Sequence, residues 1–235
     1  MRLLSWNVRD LLGDPLAVHR VIRAGCPDLV CLQEAPRRPG ARVRLHLLGR
    51  ATGLVRVVGG RSSGGTAILA RPGVRVADAR AFRLQVPGRL ARTRGACVAT
   101  CALPGVTGFA VACVHLPLEA GLRLRHAAEV AAVVHARGLP AVVAGDLNEP
   151  PGAPAWGAWA PLAVDPWPDA APTFPARRPA TRLDAVLVGP AVLAVPEPAG
   201  WCHTWDVERA SDHLPVLATL APAQPSPAAA LHDHD

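Results

Sequence analysis

Two residue types are missing from this chain of 235 residues: it contains no lysine and no tyrosine, and only 4% of its residues are aromatic. All 25 basic residues are therefore arginine. Because the chain is also rich in alanine, proline and glycine, the missing lysine indicates genome-wide codon bias. The absence of lysine is therefore weak evidence about function.

Other absences exclude whole classes of protein. No apolar run is long enough to cross a bilayer, and the N-terminal stretch MRLLSWNVRD turns polar at Asn7, too early for the apolar core of a signal peptide. The cysteines form no CxxC pair, so we interpret them as small core residues of a reduced protein. They are Cys26, Cys31, Cys97, Cys101, Cys113 and Cys202. We expect a cytoplasmic protein without a transmembrane segment, monomeric by default.

The residues that are present suit one large domain. Half of them are hydrophobic, which is enough for a sizeable core. The formal net charge is +7 and the pI is about 10.2. Because the arginine guanidinium presents a planar fork of donors, this surplus favours anionic partners, phosphates above all. For any single arginine, a solvated surface position is the simpler explanation.

Hydrophobic patterns and turn residues predict many strands and few helices. The predicted strands are residues 2–6, 28–33, 66–70, 74–86, 96–103, 109–114, 141–144, 183–188 and 214–220. One helix begins at Asp14-Pro15 and ends at Gly25, and a second covers 119–137. Residues 150–180 read as irregular, and 221–235 as a disordered Pro/Ala-rich tail. The pattern predicts one α+β domain over 1–220, with mixed or antiparallel sheets.

Polar side chains stand where many of these strands end or begin. The residues at the carboxyl ends of strands are Asn7, Glu34, His115, Asp146 and Asn148, and those at the amino ends are Asp184, Asp212 and His213. In a mixed sheet, the amino end of one strand lies beside the carboxyl end of an antiparallel neighbour. We therefore expect these residues to meet at one edge of the protein.

The chemistry of this set is coherent. Its carboxylate and amide oxygens suit a hard divalent cation such as Mg²⁺, and the lack of a cysteine in the set argues against structural zinc. Each residue taken alone has an ordinary explanation: Asn7 could cap a turn, His115 could be a satisfied core histidine, and Asp184 could pair with Arg182. Their joint appearance at strand ends favours a site that attacks phosphate esters.

The sequence resembles the endonuclease/exonuclease/phosphatase superfamily. The motifs LLSWNVR, PDLVCLQE, GGTAILAR, VACVHLPL, VVAGDLNEPPG, RLDAVLVG and ASDHLPV occur in the order typical of that family, from residue 3 to about 220. The resemblance implies a DNase I-like fold, a four-layer α/β/β/α sandwich of two mixed β-sheets flanked by helices. It also implies a metal-dependent phosphoesterase.

The resemblance implies a metal site as well. Glu34 resembles the principal Mg²⁺ ligand, Asn7 lies near the metal, and Asp212 is similar to an additional metal or site-organising acid. Mn²⁺ is a possible substitute for Mg²⁺. Arg94 aligns less securely with a basic residue on the phosphate side.

The resemblance also implies catalytic roles. Asp146 looks like the group that orients or deprotonates the attacking water, and Asn148 like the amide that holds water and phosphate. His213 resembles the histidine that contacts the phosphate, with Asp184 as its orienting carboxylate. His115 resembles a second residue on the phosphate side, a possible acid for the leaving oxygen.

Two departures bear on the substrate. Without tyrosine, the chain lacks the active-site tyrosine of many abasic-site endonucleases, and His126 stands near the place where the family often has glutamine. Trp156, Trp159 and Trp167 lie in the irregular region, where they could stack on bases or a lipid headgroup. We favour core positions for them.

Three hypotheses about function remain open. The first is a Mg²⁺-dependent phosphodiesterase or nuclease, which the basic charge supports because nucleic acid is a polyanion. The second is a phosphomonoesterase for a small phosphorylated metabolite or lipid headgroup. The third is a catalytically silent nucleic-acid-binding domain, and the complete set of acids and histidines counts against it.

Overall fold

Strands and helices account for most of residues 1–84, 94–102, 108–198 and 200–223, the parts of the chain that the computed structural model describes. The strands are β1 Arg2–Asn7, β2 Leu29–Gln33, β3 Val55–Gly59, β4 Ala67–Ala70, β5 Val76–Leu84, β6 Arg94–Cys101, β7 Phe109–His115, β8 Ala141–Asp146, β9 Asp184–Val188, β10 Val192–Pro196 and β11 Val216–Pro222. The helices are α1 Pro15–Gly25, α2 Ala41–Thr52, α3 Ala120–His135, α4 Pro154–Gly157 and α5 Thr204–Ala210.

The strands form two mixed sheets. The first sheet has the order β10-β11-β1-β2-β4-β3, and the second has the order β5-β6-β7-β8-β9. β1 runs parallel to β2 and β7 runs parallel to β8, while the remaining neighbours are antiparallel. Helices cover both outer faces, which confirms the predicted four-layer α/β/β/α sandwich of two mixed sheets.

Strand β7 shows how the layers are built. Its alternate residues Phe109, Val111 and Cys113 face the core between the two sheets, while Ala110 and Ala112 face the core beneath α3. Because both faces are buried, the strand reads as a continuous apolar run in the sequence.

The cysteines follow the sequence interpretation only in part. Cys31, Cys97, Cys101 and Cys113 are buried between the sheets as small core residues. Cys26 is exposed at the end of α1, and Cys202 is half-buried. All six are free thiols.

The two predicted helices are confirmed. Asp14 caps α1 by accepting hydrogen bonds from the backbone N–H groups of Leu16 and Ala17, and Pro15 occupies the first helical position. Glu119 caps α3 in the same way. Within the described residues, no helix is both long and apolar enough to span a bilayer.

Five elements were not predicted from the sequence: helices α2, α4 and α5 and strands β3 and β10. Helix α2 begins after Gly40, without a side-chain cap, and buries little apolar surface beyond Leu45 and Leu48. Helix α5 has seven residues. Strands β3 and β10 lie at sheet edges and leave several residues exposed.

Several strand boundaries differ from the predictions. Strand β8 continues to Asp146 instead of stopping at residue 144. Strands β5 and β6 are offset from the predicted ranges, whose ends at 85–86 and 103 lie outside the described residues. Strand β11 includes Ala221 and Pro222, so these two residues are not part of a tail. Residues 224–235 lie outside the described residues, and their disorder stays a prediction.

Candidate active site

A row of polar residues crosses the second sheet at one edge. His115 ends β7, Asp146 ends β8 and Asp184 begins β9, and the strand register pairs His115 with Asp146 and Asp146 with Asp184. Gly145 allows the strands to approach: a Cβ atom there would lie 2.0 Å from the carbonyl oxygen of Val114. Gly145 therefore serves close strand packing.

The carboxylate of Asp146 is the centre of the site. Its Oδ2 accepts a hydrogen bond from Asn7 Nδ2 at 3.0 Å, which joins the end of β1 in the first sheet to the end of β8 in the second. His115 Nε2 lies 3.4 Å from the same oxygen, and His213 Nε2 lies 3.8 Å from it. The other oxygen, Oδ1, accepts from the backbone N–H of Asn148 at 3.0 Å. Both sheets therefore converge on one buried carboxylate.

His213 is held by groups from both sheets. Its Nδ1 lies 2.9 Å from Asp184 Oδ2, an oxygen that also accepts a hydrogen bond of 2.7 Å from Thr173 Oγ1. The backbone N–H of His213 donates to Ser211 Oγ, and Phe174 packs against the imidazole with ring centroids 4.8 Å apart. The imidazole orientation is therefore fixed, and Nε2 points toward Asp146.

The loop after Asp146 is tied to the loop after His115. Asn148 Nδ2 donates to the carbonyl oxygen of Leu116 at 2.7 Å. The next residue, Glu149, is buried and pairs with Arg123 Nε of α3 at 2.8 Å. Arg123 also donates to the carbonyl oxygens of Pro117 and Leu118. This buried pair holds Asn148 beside the carboxylate.

Burial and charge raise the pKa values of two groups in the site. The rise favours the neutral carboxyl form of Asp146 and the cationic form of His213. Burial, followed by the charge of Asp184, raises the pKa of Asp146 from 3.8 to about 7. Burial acts to lower the pKa of His213, but the Asp184 hydrogen bond and the charges of Asp184, Asp146 and Asp212 outweigh it. The pKa of His213 therefore rises from 6.5 to about 9. At neutral pH the site favours an imidazolium beside a carboxyl group that titrates near 7.

The first sheet contributes oxygen ligands near the same edge. Glu34 follows β2, whose last residue pairs in parallel register with Asn7 of β1. Within the described parts of the chain, the Glu34 carboxylate makes no hydrogen bond or ion pair, and it is half-buried. Asp212 is more open, with a side chain 43% exposed and 3.8 Å from Arg9 Nε. These oxygen donors fit a hard cation.

A second group of possible ligands lies deeper. Asp146, Asp184 and His213 offer ligand atoms that all lie within 4.8 Å of one another. Asp184 Oδ1 is buried and has no hydrogen-bond partner in the described residues. Its free oxygen leaves room for one further partner at this carboxylate.

Most of the residues singled out in the sequence come together. Asn7, His115, Asp146, Asp184 and His213 are joined by direct contacts, and Asn148 reaches Asp146 through its backbone. Glu34 is placed beside them by strand register.

Two of the residues stand apart from this cluster. Asp212 lies next to His213, but its side chain is directed toward Arg9. Arg94 begins β6 and is buried, two residues before Ala96, which pairs with Val114 of β7. It is therefore at the same edge, and its phosphate-side role stays a prediction.

The structure decides between two alternatives raised by the sequence. Arg182 pairs with Asp165 at 2.7 Å, so the idea that it neutralises Asp184 is wrong. Trp156 and Trp159 are buried, and the half-buried Trp167 packs against the core between the sheets. The core interpretation of these tryptophans is confirmed.

The sequence did not reveal the residues that position the candidate catalytic side chains. Ser211 and Glu149 stand inside quoted motifs, ASDHLPV and VVAGDLNEPPG, so their neighbourhood was a usable signal. Thr173 and Phe174 lie in the region read as irregular, where no local pattern marks them. Arg123 is one of many arginines, and only the fold shows that it is buried.

Acids, amides and histidines gathered where two packed sheets meet define a phosphoesterase hydrolase. The chain matches the Endonuclease/Exonuclease/phosphatase family over residues 4–213. Because this match covers most of the chain, the protein belongs to that family. No curated protein sequence matches the chain.

Solved structures share the fold. An endonuclease/exonuclease/phosphatase from Beutenbergia cavernae DSM 12333 is 25% identical, with a TM-score of 0.66 and coverage of 95% of this chain and 72% of that one. A mannosyl-6-phosphatase from Bacteroides thetaiotaomicron VPI-5482 is 18% identical, with a TM-score of 0.73 and coverage of 94% and 99%. The catalytic domain of human nocturnin, with bound sulfate, is 16% identical, with a TM-score of 0.71 and coverage of 95% and 93%.

Proposed function

We propose that the protein hydrolyses phosphodiesters with the help of Mg²⁺, by in-line attack of a water molecule on phosphorus. One observation carries this proposal. Three nitrogen atoms, Asn7 Nδ2, His115 Nε2 and His213 Nε2, surround the single oxygen Oδ2 of Asp146 at 3.0, 3.4 and 3.8 Å. A carboxylate placed between an amide and two imidazoles suits a general base that faces an anionic substrate.

The first sheet would hold the metal. Glu34 is the principal candidate, because its carboxylate is uncommitted in the described structure, with Asn7 and Asp212 beside it. When bound, Mg²⁺ would neutralise negative charge on the phosphoryl oxygens. The all-oxygen donor set favours Mg²⁺, with Mn²⁺ as a substitute, over zinc.

Asp146 would accept the proton of the attacking water. Its pKa of about 7, raised chiefly by burial, suits a base that acts near neutral pH. Asn7 and the backbone of Asn148 each bond one of its oxygens and so fix its direction. The remaining lone pairs of Asp146 Oδ2 can face the water.

His213 would stabilise charge on the non-bridging oxygens. Asp184 holds its Nδ1, so the Nε2 proton is presented to the cleft, and the raised pKa of about 9 keeps the ring cationic at neutral pH. His115 is close enough to the same space to protonate the leaving oxygen. In this proposal Asp146 is the base, His213 is the fixed cation and His115 is the acid.

Charge supports diesters over monoesters. The net charge of +7 is carried by arginines, whose guanidinium groups bind chains of phosphates. The same catalytic residues would serve a phosphomonoesterase, so that alternative is distinguished by substrate and not by mechanism. A silent binding domain would have no need of the buried Asp184–His213 pair.

A substrate panel tests the proposal. Purified protein with Mg²⁺ should hydrolyse bis-p-nitrophenyl phosphate and nucleic acid faster than p-nitrophenyl phosphate, and Asp146→Asn should lower this activity by orders of magnitude. Asp169→Asn, an exposed acid outside the site, is the matched control and should behave as wild type. Preferential monoester cleavage supports the phosphomonoesterase, and binding of nucleic acid without any product supports the silent domain.

A further inference from the structure

An arginine-lined cavity lies apart from the cluster around Asp146. Its volume is about 510 Å³, and it is formed by the loop after β2, the start of α2, the end of β3 and the end of β5. Five arginines line it: Arg38, Arg42, Arg56, Arg61 and Arg83. No aspartate or glutamate is among the described residues that line it. We call it the arginine cavity.

Topology puts this cavity on the catalytic edge of the protein. β3 and β2 both run antiparallel to β4, so Gly59 at the end of β3 lies at the same sheet edge as Gln33 at the end of β2. β5 and β7 both run antiparallel to β6, so Arg83 lies at the same edge as His115. β3 and β5 are the outermost strands of the two sheets and contact each other.

The cavity is close enough to serve one substrate molecule. β3 is two strands away from β2 in the first sheet, so its end lies on the order of 10 Å from the end of β2, next to Glu34. The chain itself connects the two places, because the loop from Glu34 continues directly into Pro36 and Arg38 of the cavity wall.

The positive charge of the cavity is largely uncompensated. Arg38 is paired with Asp10 at 3.2 Å. For Arg42, Arg56, Arg61 and Arg83, the described structure gives no carboxylate partner within ion-pair distance, and Arg56 Nη1 donates only to the carbonyl oxygen of Gly59. Arginines held together without acids are a binding site for a phosphate group.

From these observations we infer that the arginine cavity binds a second, non-reacting phosphate of the substrate whose scissile phosphate lies beside Asp146. This inference rests on the proposed phosphodiesterase function and narrows its substrate class to esters with more than one phosphate. A nucleic acid strand satisfies it when it extends beyond the cleavage point into the arginine cavity. A small ester with several phosphates has the same chemistry.

Binding without turnover tests the inference. A short fluorescein-labelled single-stranded DNA is titrated with full-length protein in EDTA, over a range of salt concentrations. The double variant Arg61→Ala/Arg83→Ala should bind about tenfold more weakly and lower the slope of log affinity against log salt by about 0.7, the contribution of one phosphate contact in a single strand. Arg61→Lys/Arg83→Lys, which keeps both charges, should recover most of the affinity.

A matched control removes two arginines from the opposite edge. Arg23 and Arg50 lie in the last turns of α1 and α2, which run away from the catalytic edge, so Arg23→Ala/Arg50→Ala should bind the DNA as wild type does. Equal losses in both alanine pairs, or no loss in either, would overturn the inference. Thermal unfolding of each variant confirms that it is folded.

Two further measurements distinguish a small ester from a nucleic acid strand, and phosphate binding in the cavity from diester hydrolysis. Inositol hexakisphosphate is titrated as a competitor of the DNA. If this small ester displaces the DNA at low concentration from the wild type but not from Arg61→Ala/Arg83→Ala, the substrate is a small polyphosphorylated ester. If it does not displace the DNA, the substrate is a nucleic acid strand. The titration in EDTA measures binding without turnover, so its outcome does not depend on the proposed activity. If Arg61→Ala/Arg83→Ala weakens DNA binding but the wild-type protein cleaves no diester with Mg²⁺, the cavity is supported and the proposed activity is rejected.

Discussion

The two sheets contribute to the same site in different ways. The second sheet supplies His115, Asp146 and Asp184, all buried and in contact with further polar groups of the site. The loops at the edge of the first sheet supply Glu34 and Asp212, which are partly open to solvent and whose side chains make no hydrogen bond to the buried cluster in the described structure. We call His115, Asp146 and Asp184 with their contacts the buried half of the site. Glu34 and Asp212 form the open half, whose carboxylate oxygens are available to a ligand.

This difference fits the roles that we propose for the two halves. A base and its orienting partners need fixed geometry, which burial and hydrogen bonds supply at the cost of desolvating two carboxylates. A cation site for Mg²⁺ has the opposite need, because the ion keeps several waters and reaches the protein through a few carboxylates. The buried half and the open half can therefore be separated by experiment.

The largest expected effect comes from the buried half. Asp184→Asn removes the charge that holds His213, and it allows the wrong tautomer of the imidazole to form. We expect kcat on a phosphodiester to fall about 10⁴-fold, as for the catalytic histidine that loses its orienting carboxylate in a serine protease. Excess Mg²⁺ should not restore the rate. A fall of less than tenfold, or recovery with metal, would place Asp184 in the open half.

Stability should depend on pH through the same half of the site. In metal-free protein, burial raises the pKa of Asp146 from 3.8 to about 7, so the folded state binds this proton more tightly than the unfolded chain does. The free energy of unfolding should therefore fall as pH rises from about 4 to 7, by a few kcal/mol. Urea denaturation in EDTA measures this, and Asp146→Asn should flatten that window.

The contribution of His213 also falls as pH rises, but in a different window. Its pKa is raised from 6.5 to about 9, so its stabilising effect is complete below 6.5 and is lost as pH rises toward 9. Because the charge of Asp146 helps to raise the pKa of His213, Asp146→Asn should reduce the fall in the free energy of unfolding between pH about 6.5 and 9 without removing it. An unchanged decline between pH about 4 and 7 in Asp146→Asn would contradict the assignment of that window to Asp146.

The open half should behave differently. Glu34→Gln should lower activity roughly 10- to 100-fold at limiting Mg²⁺, the loss typical of a weakened metal site, and high Mg²⁺ should restore much of it. Glu129→Gln, on the exposed face of α3, is the matched control. Binding of Mn²⁺ measured by electron paramagnetic resonance should weaken in Glu34→Gln alone. A loss that metal does not relieve would move Glu34 into the buried half.

The sequence predicted the site better than it predicted the elements around it. Strand ends could be read because apolar runs stop abruptly at residues such as Asn7 and His115, and mixed sheets bring such ends together. The family resemblance then supplied roles that no single residue carried. The prediction of one edge rested on topology, and the strand register places His115, Asp146 and Asp184 side by side at one edge of the second sheet.

What the sequence could not supply was side-chain environment. Glu149 and Arg123 are 26 positions apart, and nothing local marks them as a buried pair. Asp212 and His213 are neighbours, but one faces Arg9 and the other faces Asp184. These choices follow from long-range packing, which local patterns do not encode. The uncompensated arginines of the cavity were also invisible, because any one arginine reads as a solvated surface residue.

Asn7 decides how sharply the two halves are divided, and its expected effect is the smallest. It belongs to the first sheet and resembles a metal-site residue, but its Nδ2 donates to Asp146 in the second. If that hydrogen bond is its main role, Asn7→Ala should lower kcat about tenfold, the effect should vanish in an Asp146→Asn background, and Mg²⁺ should not relieve it. Equal losses in both backgrounds, relieved by Mg²⁺, would make Asn7 part of the open half, so the double-mutant cycle locates the boundary of the metal site.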